Sequence, residues 1–203
     1  MSETLNIKRK EQILNTASLL FKERGYASTS MRDIAAKLNM EAASLYHHIK
    51  SKEEILEIIC FGMAQKFLTP IAEVNDIYFN AEEKLRMAIK NHVHNITANQ
   101  EQSAVFLHEW RCLAEPALSD FKELRNHYEN EFTHIIESGI NENVFEAVDQ
   151  KFAALSILGS LNWINEWYNP SGKMNSDEIS LKIGDFILGG LRKKFITDPN
   201  YKP

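Results

Sequence analysis

The sequence predicts an all-α fold of about nine helices. Apolar residues recur at steps of three and four along most of the 203 residues, and no segment shows the two-residue alternation of a strand. Only five prolines and eight glycines interrupt the chain, and 44% of the residues are hydrophobic. A chain of this length and composition can bury a core, and it fits a small module joined to a larger helical body.

Two helices are predicted before residue 39. In the first, residues 8–24 carry a single apolar stripe, and Gly25 supplies the C-terminal stop. The second begins at Ser30, with Asp33 three residues later in the manner of a capping box. Asn39 ends it, because asparagine tolerates the left-handed backbone conformation of a tight turn.

A third short helix, residues 41–49, buries two apolar side chains and leaves small and polar ones on its other faces. Ser51 and Glu54 then form an S-x-x-E capping box at the start of a longer fourth helix. Pro70 is expected to end or kink that helix.

The remaining chain continues the helical pattern. Five further helices are expected, covering about 80–99, 103–113, 118–137, 147–168 and 176–195. The elements predict an N-terminal three-helix helix-turn-helix domain at 1–52, a helical domain at 53–198 and a loose tail at 199–203.

Charge is distributed unevenly between these parts. The formal net charge is −5, yet residues 1–52 hold nine Lys and Arg against five Asp and Glu. The first quarter of the chain is therefore basic, at +4, and the remainder acidic, at −9. Such asymmetry is typical of a DNA-facing head on an acidic body, although basic surfaces also occur without a DNA role.

Nothing in the sequence suggests export. Cys60 and Cys112 match no zinc or redox spacing and are expected to be reduced thiols. The opening residues lack the apolar stretch of a signal peptide, and apolar runs such as 55–64 are short. We therefore expect a cytoplasmic protein without a membrane span.

The second and third helices have the form of a DNA-reading motif. Two short helices joined by a tight turn suit the major groove, which admits one helix, although a solvated helical hairpin gives the same pattern. The run from Ile13 to Leu56 favours the DNA-reading motif over the solvated hairpin, because it resembles the DNA-binding domain of the TetR family in order and spacing. The clearest matches are 29–35 (TSMRDIA) and 45–49 (LYHHI).

The resemblance implies contacts from three places. The start of the second helix would meet the DNA backbone, the third helix would enter the groove, and the start of the fourth would bind a phosphate. The implied residues are Ser30, Met31, Ala42, Ala43, Ser44, Tyr46, His47, His48 and Lys52.

The match has several departures. Asn39 stands where the family usually has glycine, Glu41 replaces a small hydroxyl residue, and His48 and Ile49 replace tyrosine and phenylalanine. The third helix also lacks the Arg or Lys that would make bidentate contacts to guanine. Base readout is therefore expected to favour A·T pairs and to depend on DNA shape.

The resemblance also implies a ligand-binding and dimerisation role for the other helices. Apolar stripes at 153–161 and 179–191 suit a four-helix bundle between two copies, and packing within one chain is the alternative. Two aromatic clusters are candidate ligand contacts, and plain core is again the alternative. The candidates are Phe106, Glu109, Trp110, Asn162, Trp163 and Trp167. The second cluster is similar to TetR-type regulators that sense coenzyme A thioesters.

The expected function is a DNA-binding transcriptional regulator. We expect a homodimeric repressor, released from a double-stranded operator by a small hydrophobic ligand of the acyl-CoA kind. A regulator responding to drugs or other hydrophobic ligands stays open, because Glu109 and Glu166 could face a cation, and so does a DNA-binding protein without a ligand. No catalytic residue, metal or cofactor is expected, since His108-Glu109 is followed by Cys112 where a zinc protease needs its second histidine.

Overall fold

The computed structural model describes residues 2–193, with side chains from residue 6 onward, and these residues fold into helices joined by short turns. The predicted tail at 199–203 and the end of the last predicted helix lie outside this range. The helices are α1 (Ser2–Arg24), α2 (Met31–Lys37), α3 (Ala42–Tyr46), α4 (Lys52–Asp76), α5 (Ala81–Ala98), α6 (Gln100–His108), α7 (Ala117–Asn141), α8 (Gln150–Asn162), α9 (Ile164–Trp167) and α10 (Ser176–Leu191), with a 3₁₀ turn at Trp110–Cys112.

The all-α prediction is confirmed. Helix α9 follows α8 after a single residue, so the described chain has about nine separate helices. Within residues 2–193 the only β pairing recorded is an isolated bridge between Phe145 and Arg192.

The chain forms two compact units. In the described range, unit 1 contains residues 2–68 and 98–126, and unit 2 contains residues 69–97 and 127–193. The boundary predicted at 52/53 falls inside unit 1, and the functional division proposed there stays a prediction.

Unit 1 is built around the predicted stripe of α1. Ile13, Ala17, Leu20 and Phe21 are almost completely buried, as the spacing of three and four residues requires. Helix α1 lies along α6, where Gln102 donates to Asn15 Oδ1 at 3.0 Å. Aromatic pairs extend this core, including one between Phe67 and Phe106 with ring centroids 5.1 Å apart.

Helix α4 continues beyond its expected end. It runs through Pro70 to Asp76, because Ile71 and Val74 are buried in the next turn and their packing outweighs the single hydrogen bond that proline removes. By length and composition, α4 is the one described helix that could cross a membrane, and half of its most apolar stretch is buried inside the protein, as in an ordinary core helix.

Unit 2 has its own core, made by α5, the second half of α7, α8 and α10. Its contributors include Leu85, Ile89, Phe132, Leu161 and Leu188. The turn after α7 folds Phe145 back onto Gly139, where an added Cβ would lie 2.1 Å from Phe145 Cδ2. An alanine at position 139 would therefore force the Phe145 ring to shift.

Candidate nucleic-acid interface

The start of α2 is fixed by a complete capping box. Asp33 N donates to Ser30 Oγ at 3.2 Å, and Ser30 N donates to Asp33 Oδ2 at 2.8 Å. The Ser30 hydroxyl and amide hold the pKa of Asp33 below its usual range. Met31 is buried, so of the two residues predicted to meet the DNA backbone here, only Ser30 presents an exposed side chain.

The turn to α3 also follows the predicted chemistry. Asn39 adopts φ 54°, the left-handed conformation that lets the chain reverse within a few residues. Met40 N then donates to Ala35 O at 2.9 Å and closes the turn. Glu41 occupies the N-cap of α3, but its side chain makes no capping hydrogen bond.

Helix α3 presents one narrow outward face. Ala43, Tyr46 and His47 are exposed and occupy positions i, i+3 and i+4, which share one side of a helix. Leu45 and Ile49 are buried on the opposite side, as predicted. The outward face therefore has a small side chain near its start and an aromatic ring with an imidazole near its end.

The other predicted groove residues are less accessible. Ala42, Ser44 and His48 are half-buried. His48 Nδ1 lies 2.7 Å from Asn6 Oδ1, a contact across 42 residues of sequence. Asn6 is thus a residue of this surface that the sequence alone did not reveal, because neither spacing nor motif links it to α3.

Lys52 has a structural role that the sequence did not indicate. Its Nζ donates to the carbonyls of Tyr26 and Thr29, both at 2.9 Å, and lies 4.2 Å from the centroid of the Tyr26 ring. Burial and the neighbouring Glu53, which accepts from Tyr26 Oη at 3.3 Å, raise the pKa of Tyr26. The ammonium group therefore holds the turn after α1, and the predicted phosphate contact of Lys52 stays a prediction.

The first candidate ligand cluster lies in unit 1. Phe106 is buried, stacked on Phe67 and edge-on to Phe121 at 5.5 Å. The guanidinium groups of Arg111 and Arg125 make cation–π contacts with Trp110, and their Cζ atoms lie 4.5 and 4.8 Å from the centroid of its ring. The thiol of Cys112 donates a long hydrogen bond, 3.9 Å, to Glu109 Oε2.

The second candidate cluster lies in unit 2 and divides into two environments. Trp163 and Trp167 are exposed, and with residues of α8 and α10 they line an open groove of about 580 Å³. Asn162 is half-buried and hydrogen-bonds to the imidazole of His92. Among the described residues, no three His, Cys, Asp or Glu side chains are grouped so as to hold a metal ion.

Comparison with known proteins agrees with this architecture. The model described as bacterial regulatory proteins, tetR family, matches residues 13–59, and a tetracyclin repressor-like C-terminal domain matches residues 79–191. The HTH-type transcriptional repressor KstR2 of Mycobacterium tuberculosis is 25% identical over 188 residues, covering 92% of this chain and 94% of KstR2.

Solved structures of transcriptional regulators are also similar to this chain. The ketosteroid transcriptional regulator KstR2 of Mycobacterium tuberculosis superposes with a TM-score of 0.87 at 25% identity, covering 92% of this chain and 96% of that one. PfmR of Thermus thermophilus gives 0.80 at 31% identity, covering 89% and 99%. AibR, in complex with isovaleryl coenzyme A and operator DNA, gives 0.77 at 30% identity, covering 92% and 100%.

The C-terminal model alone spans more than half of the chain, and the N-terminal model contains the capped α2, the Asn39 turn and the outward face of α3. This chain therefore belongs to the TetR family of bacterial regulatory proteins and is a DNA-binding transcriptional regulator.

Proposed function

We propose that the protein is a homodimeric repressor that leaves its double-stranded operator when a small hydrophobic ligand of the acyl-coenzyme A class binds. The observation that carries the DNA half is the outward face of α3, whose Ala43, Tyr46 and His47 are exposed on a helix that enters the major groove in this family. A regulator of this kind acts where the chromosome is, and we place it in the cytoplasm.

The dimer half is supported by an apolar surface on unit 2. Five large side chains of α8, α10 and the residue after α8 are exposed, which is unusual for a surface that stays in water. They are Phe152, Leu155, Trp163, Leu181 and Phe186. Pairing these helices with those of a second copy would bury the surface in a four-helix bundle and would give two reading heads for a two-fold operator.

The ligand half is supported by the character of the groove beside Trp163 and Trp167. Its walls are the two indole rings, the Phe186 ring and Ile183, with Ser156 and Ser160 as polar groups. Such a lining suits an acyl chain attached to one polar head. AibR, which is similar to this chain, was solved with isovaleryl coenzyme A, a short acyl chain carried as a thioester.

The proposed mechanism follows from the position of this groove. Two residues of the apolar face that would meet the second copy, Trp163 and Phe186, also line the groove. A ligand seated there would favour one arrangement of two subunits over another and would change the separation of the heads. Coupling between two sites is typically 1 to 3 kcal/mol, which corresponds to about 5- to 150-fold in DNA affinity.

The test uses the purified full chain. A 30-base-pair duplex is selected by the protein from a random-sequence pool, and its Kd is measured by fluorescence anisotropy with and without isovaleryl-CoA, a long-chain acyl-CoA and the matching free acids. We expect the Kd to rise about 5- to 150-fold with a thioester and not with the matching free acid.

Two outcomes would overturn separate halves of the proposal. If no selected duplex binds more tightly than unrelated DNA, the operator function is wrong. If a duplex is selected but every thioester leaves its Kd unchanged, the ligand class is wrong, and a response to cationic drugs in the same assay would favour the multidrug alternative.

Ala43→Asp serves as the control, because it adds a negative charge to the outward face of α3 and should abolish duplex binding without changing oligomeric state.

A further inference from the structure

Residues 6–12 of α1 lie outside the hydrophobic core. Among the described side chains of this helix, which start at Asn6, the first buried one is Ile13, and those at 6–12 are exposed or half-buried. Even Ile7 is 58% exposed. Core packing supplies most helical stability in proteins, so this segment, which we call the α1 extension (residues 6–12), contributes little to holding unit 1 together.

Two polar contacts tie the α1 extension to the end of the DNA-reading motif. Asn6 Oδ1 accepts from His48 Nδ1 at 2.7 Å, and Lys10 Nζ lies 3.8 Å from Glu54 Oε1. Asn6 and Lys10 are four residues apart and share one side of the helix. The extension therefore lies beside the residues that follow α3, next to the surface that faces DNA.

The charges of the α1 extension suit a polyanion. Lys8 and Arg9 are exposed, and the contact recorded for Arg9 is with a neutral group, Gln12 Oε1 at 3.1 Å. Among the described side chains neither cation forms an ion pair. Lys10 and Glu11 offset one another, so the segment keeps a net charge of +2. The exposed Lys50 continues this cationic character beyond α3.

We infer that the α1 extension is a second DNA contact, in which Lys8 and Arg9 bind backbone phosphates flanking the base pairs that α3 meets. This rests on the proposed entry of α3 into the groove, and it adds a site to that function. Long, flexible cations without carboxylate partners bind phosphates without reading sequence. The hydrogen bond from His48 to Asn6 positions the extension, because it joins the first described turn of α1 to the residues that follow α3.

The experiment compares salt dependence. Wild-type protein, Arg9→Gln and the double variant Lys8→Gln/Arg9→Gln are titrated with the selected duplex and with an unrelated duplex at several potassium chloride concentrations. Each lost phosphate contact reduces the slope of log K against log salt concentration by about 0.9. The slope measured for the double variant should therefore be shallower by about 1.8 for each bound head. Affinity should fall by the same factor on both duplexes, because phosphate contacts carry no sequence information.

Lys122→Gln is the matched control, since Lys122 is an exposed cation of unit 1 on α7 and loses the same charge. We expect its slope to equal that of the wild type. Asn6→Ala should give a smaller loss than Arg9→Gln, because it releases the extension without removing charge. Circular dichroism confirms folding of each variant.

The results separate the two proposals. If wild-type protein binds neither duplex, the operator function fails. If it binds, and the double variant keeps both the slope and the affinity of the Lys122→Gln control, the α1 extension is not a DNA contact. If the double variant loses affinity only for the selected duplex, the contact is sequence-specific, and the phosphate assignment is wrong.

Discussion

His92 illustrates how one buried polar side chain is accommodated in an apolar interior. Its Nδ1 lies 2.9 Å from Tyr128 Oη, and its imidazole also bonds to Asn162. Burial lowers the pKa of His92 to about 3, against a smaller opposing effect of the Asn162 hydrogen bond. His92 is thus a buried core residue of unit 2 with hydrogen-bond partners on α7 and α8.

This burial predicts a pH dependence of stability. Between the ordinary pKa of 6.5 and the folded value of about 3, unfolded His92 binds a proton that folded His92 does not. The free energy of unfolding should therefore fall as the pH drops through this window, by at most about 1.4 kcal/mol per pH unit from this group. Urea unfolding between pH 4 and 7 should show a shallower acid-side slope for His92→Gln than for wild type. His134→Gln, at an exposed histidine of α7, is the control, and equal slopes for all three proteins would contradict the assignment.

Gly139 supports a second prediction about a single position. Alanine normally stabilises a helix interior by up to about 1 kcal/mol relative to glycine. At Gly139 the added Cβ would meet the buried Phe145 ring at 2.1 Å, and overpacking of this kind costs about 1 to 3 kcal/mol. Gly139→Ala should therefore lower the free energy of unfolding measured in urea. Gly62→Ala, in open space on α4, should raise it, and the same sign for both variants would show that Phe145 moves aside freely.

The two helices of the DNA-reading motif are capped very differently. Ser30 gives α2 a reciprocal capping box, whereas Glu41 at the start of α3 bonds to no amide of the first turn. Glutamate is too long to reach back to these amides, and its charge stands near the proposed phosphates. Helix α3, which we propose enters the groove, therefore has the weaker N-terminal cap of the two helices.

Substitution at Glu41 should separate these two effects. Glu41→Ser supplies a cap and removes a charge, so it should raise stability by about 1 kcal/mol and also tighten duplex binding. Glu41→Gln removes the charge alone and should tighten binding without stabilising the fold. Denaturant unfolding and anisotropy measure the two quantities. Equal stability of the two variants would mean that the first-turn amides of α3 need no cap.

Local chemistry predicted the ends of helices better than their lengths. Gly25 at φ 82° and Asn39 at φ 54° stop their helices as expected, because each requirement is confined to a few residues. The continuation of α4 past Pro70 depends on the burial of Ile71 and Val74 by other parts of the chain, which spacing does not encode, and no local stop signal marks the break between α8 and α9. For the same reason the sequence could name Lys52 as important but could not show that its partners are the carbonyls of Tyr26 and Thr29.

The periodicity of an interface helix is indistinguishable from that of a core helix. Most residues of the stripes predicted at 153–161 and 179–191, such as Leu161 and Leu191, are buried within unit 2, which favours packing within one chain for them. The exposed side chains are Phe186, at 80%, and Phe152, which lies just before the first stripe and is 70% exposed. Trp163 and Trp167 belong to the exposed set, which is why their assignment to ligand, core or partner could not be made from the aromatic pattern.

The exposed face supports a prediction about assembly. Phe186→Glu should convert the dimer to a monomer in light scattering coupled to size exclusion, because a charge would be buried without a partner in the proposed bundle. Duplex affinity should fall with it, since two linked heads bind more tightly than one. Tyr78→Ser, at a fully exposed aromatic between α4 and α5, is the control and should remain dimeric. A Phe186→Glu dimer of unchanged affinity would place the interface elsewhere.

Unit 1 is assembled from two separated stretches of chain, and this limits how the regulator can diversify. Residues 2–68 pack against 98–126, with α1 lying along α6 and Phe67 stacked on Phe106. A head cut out at residue 52 or 68 would lack that second stretch and expose the apolar surface it covers. New operator preferences are therefore expected to arise by substitutions on the outward face of α3. Chimaeras that join α1 to α4 to the C-terminal domain of another protein should aggregate unless they also include α6.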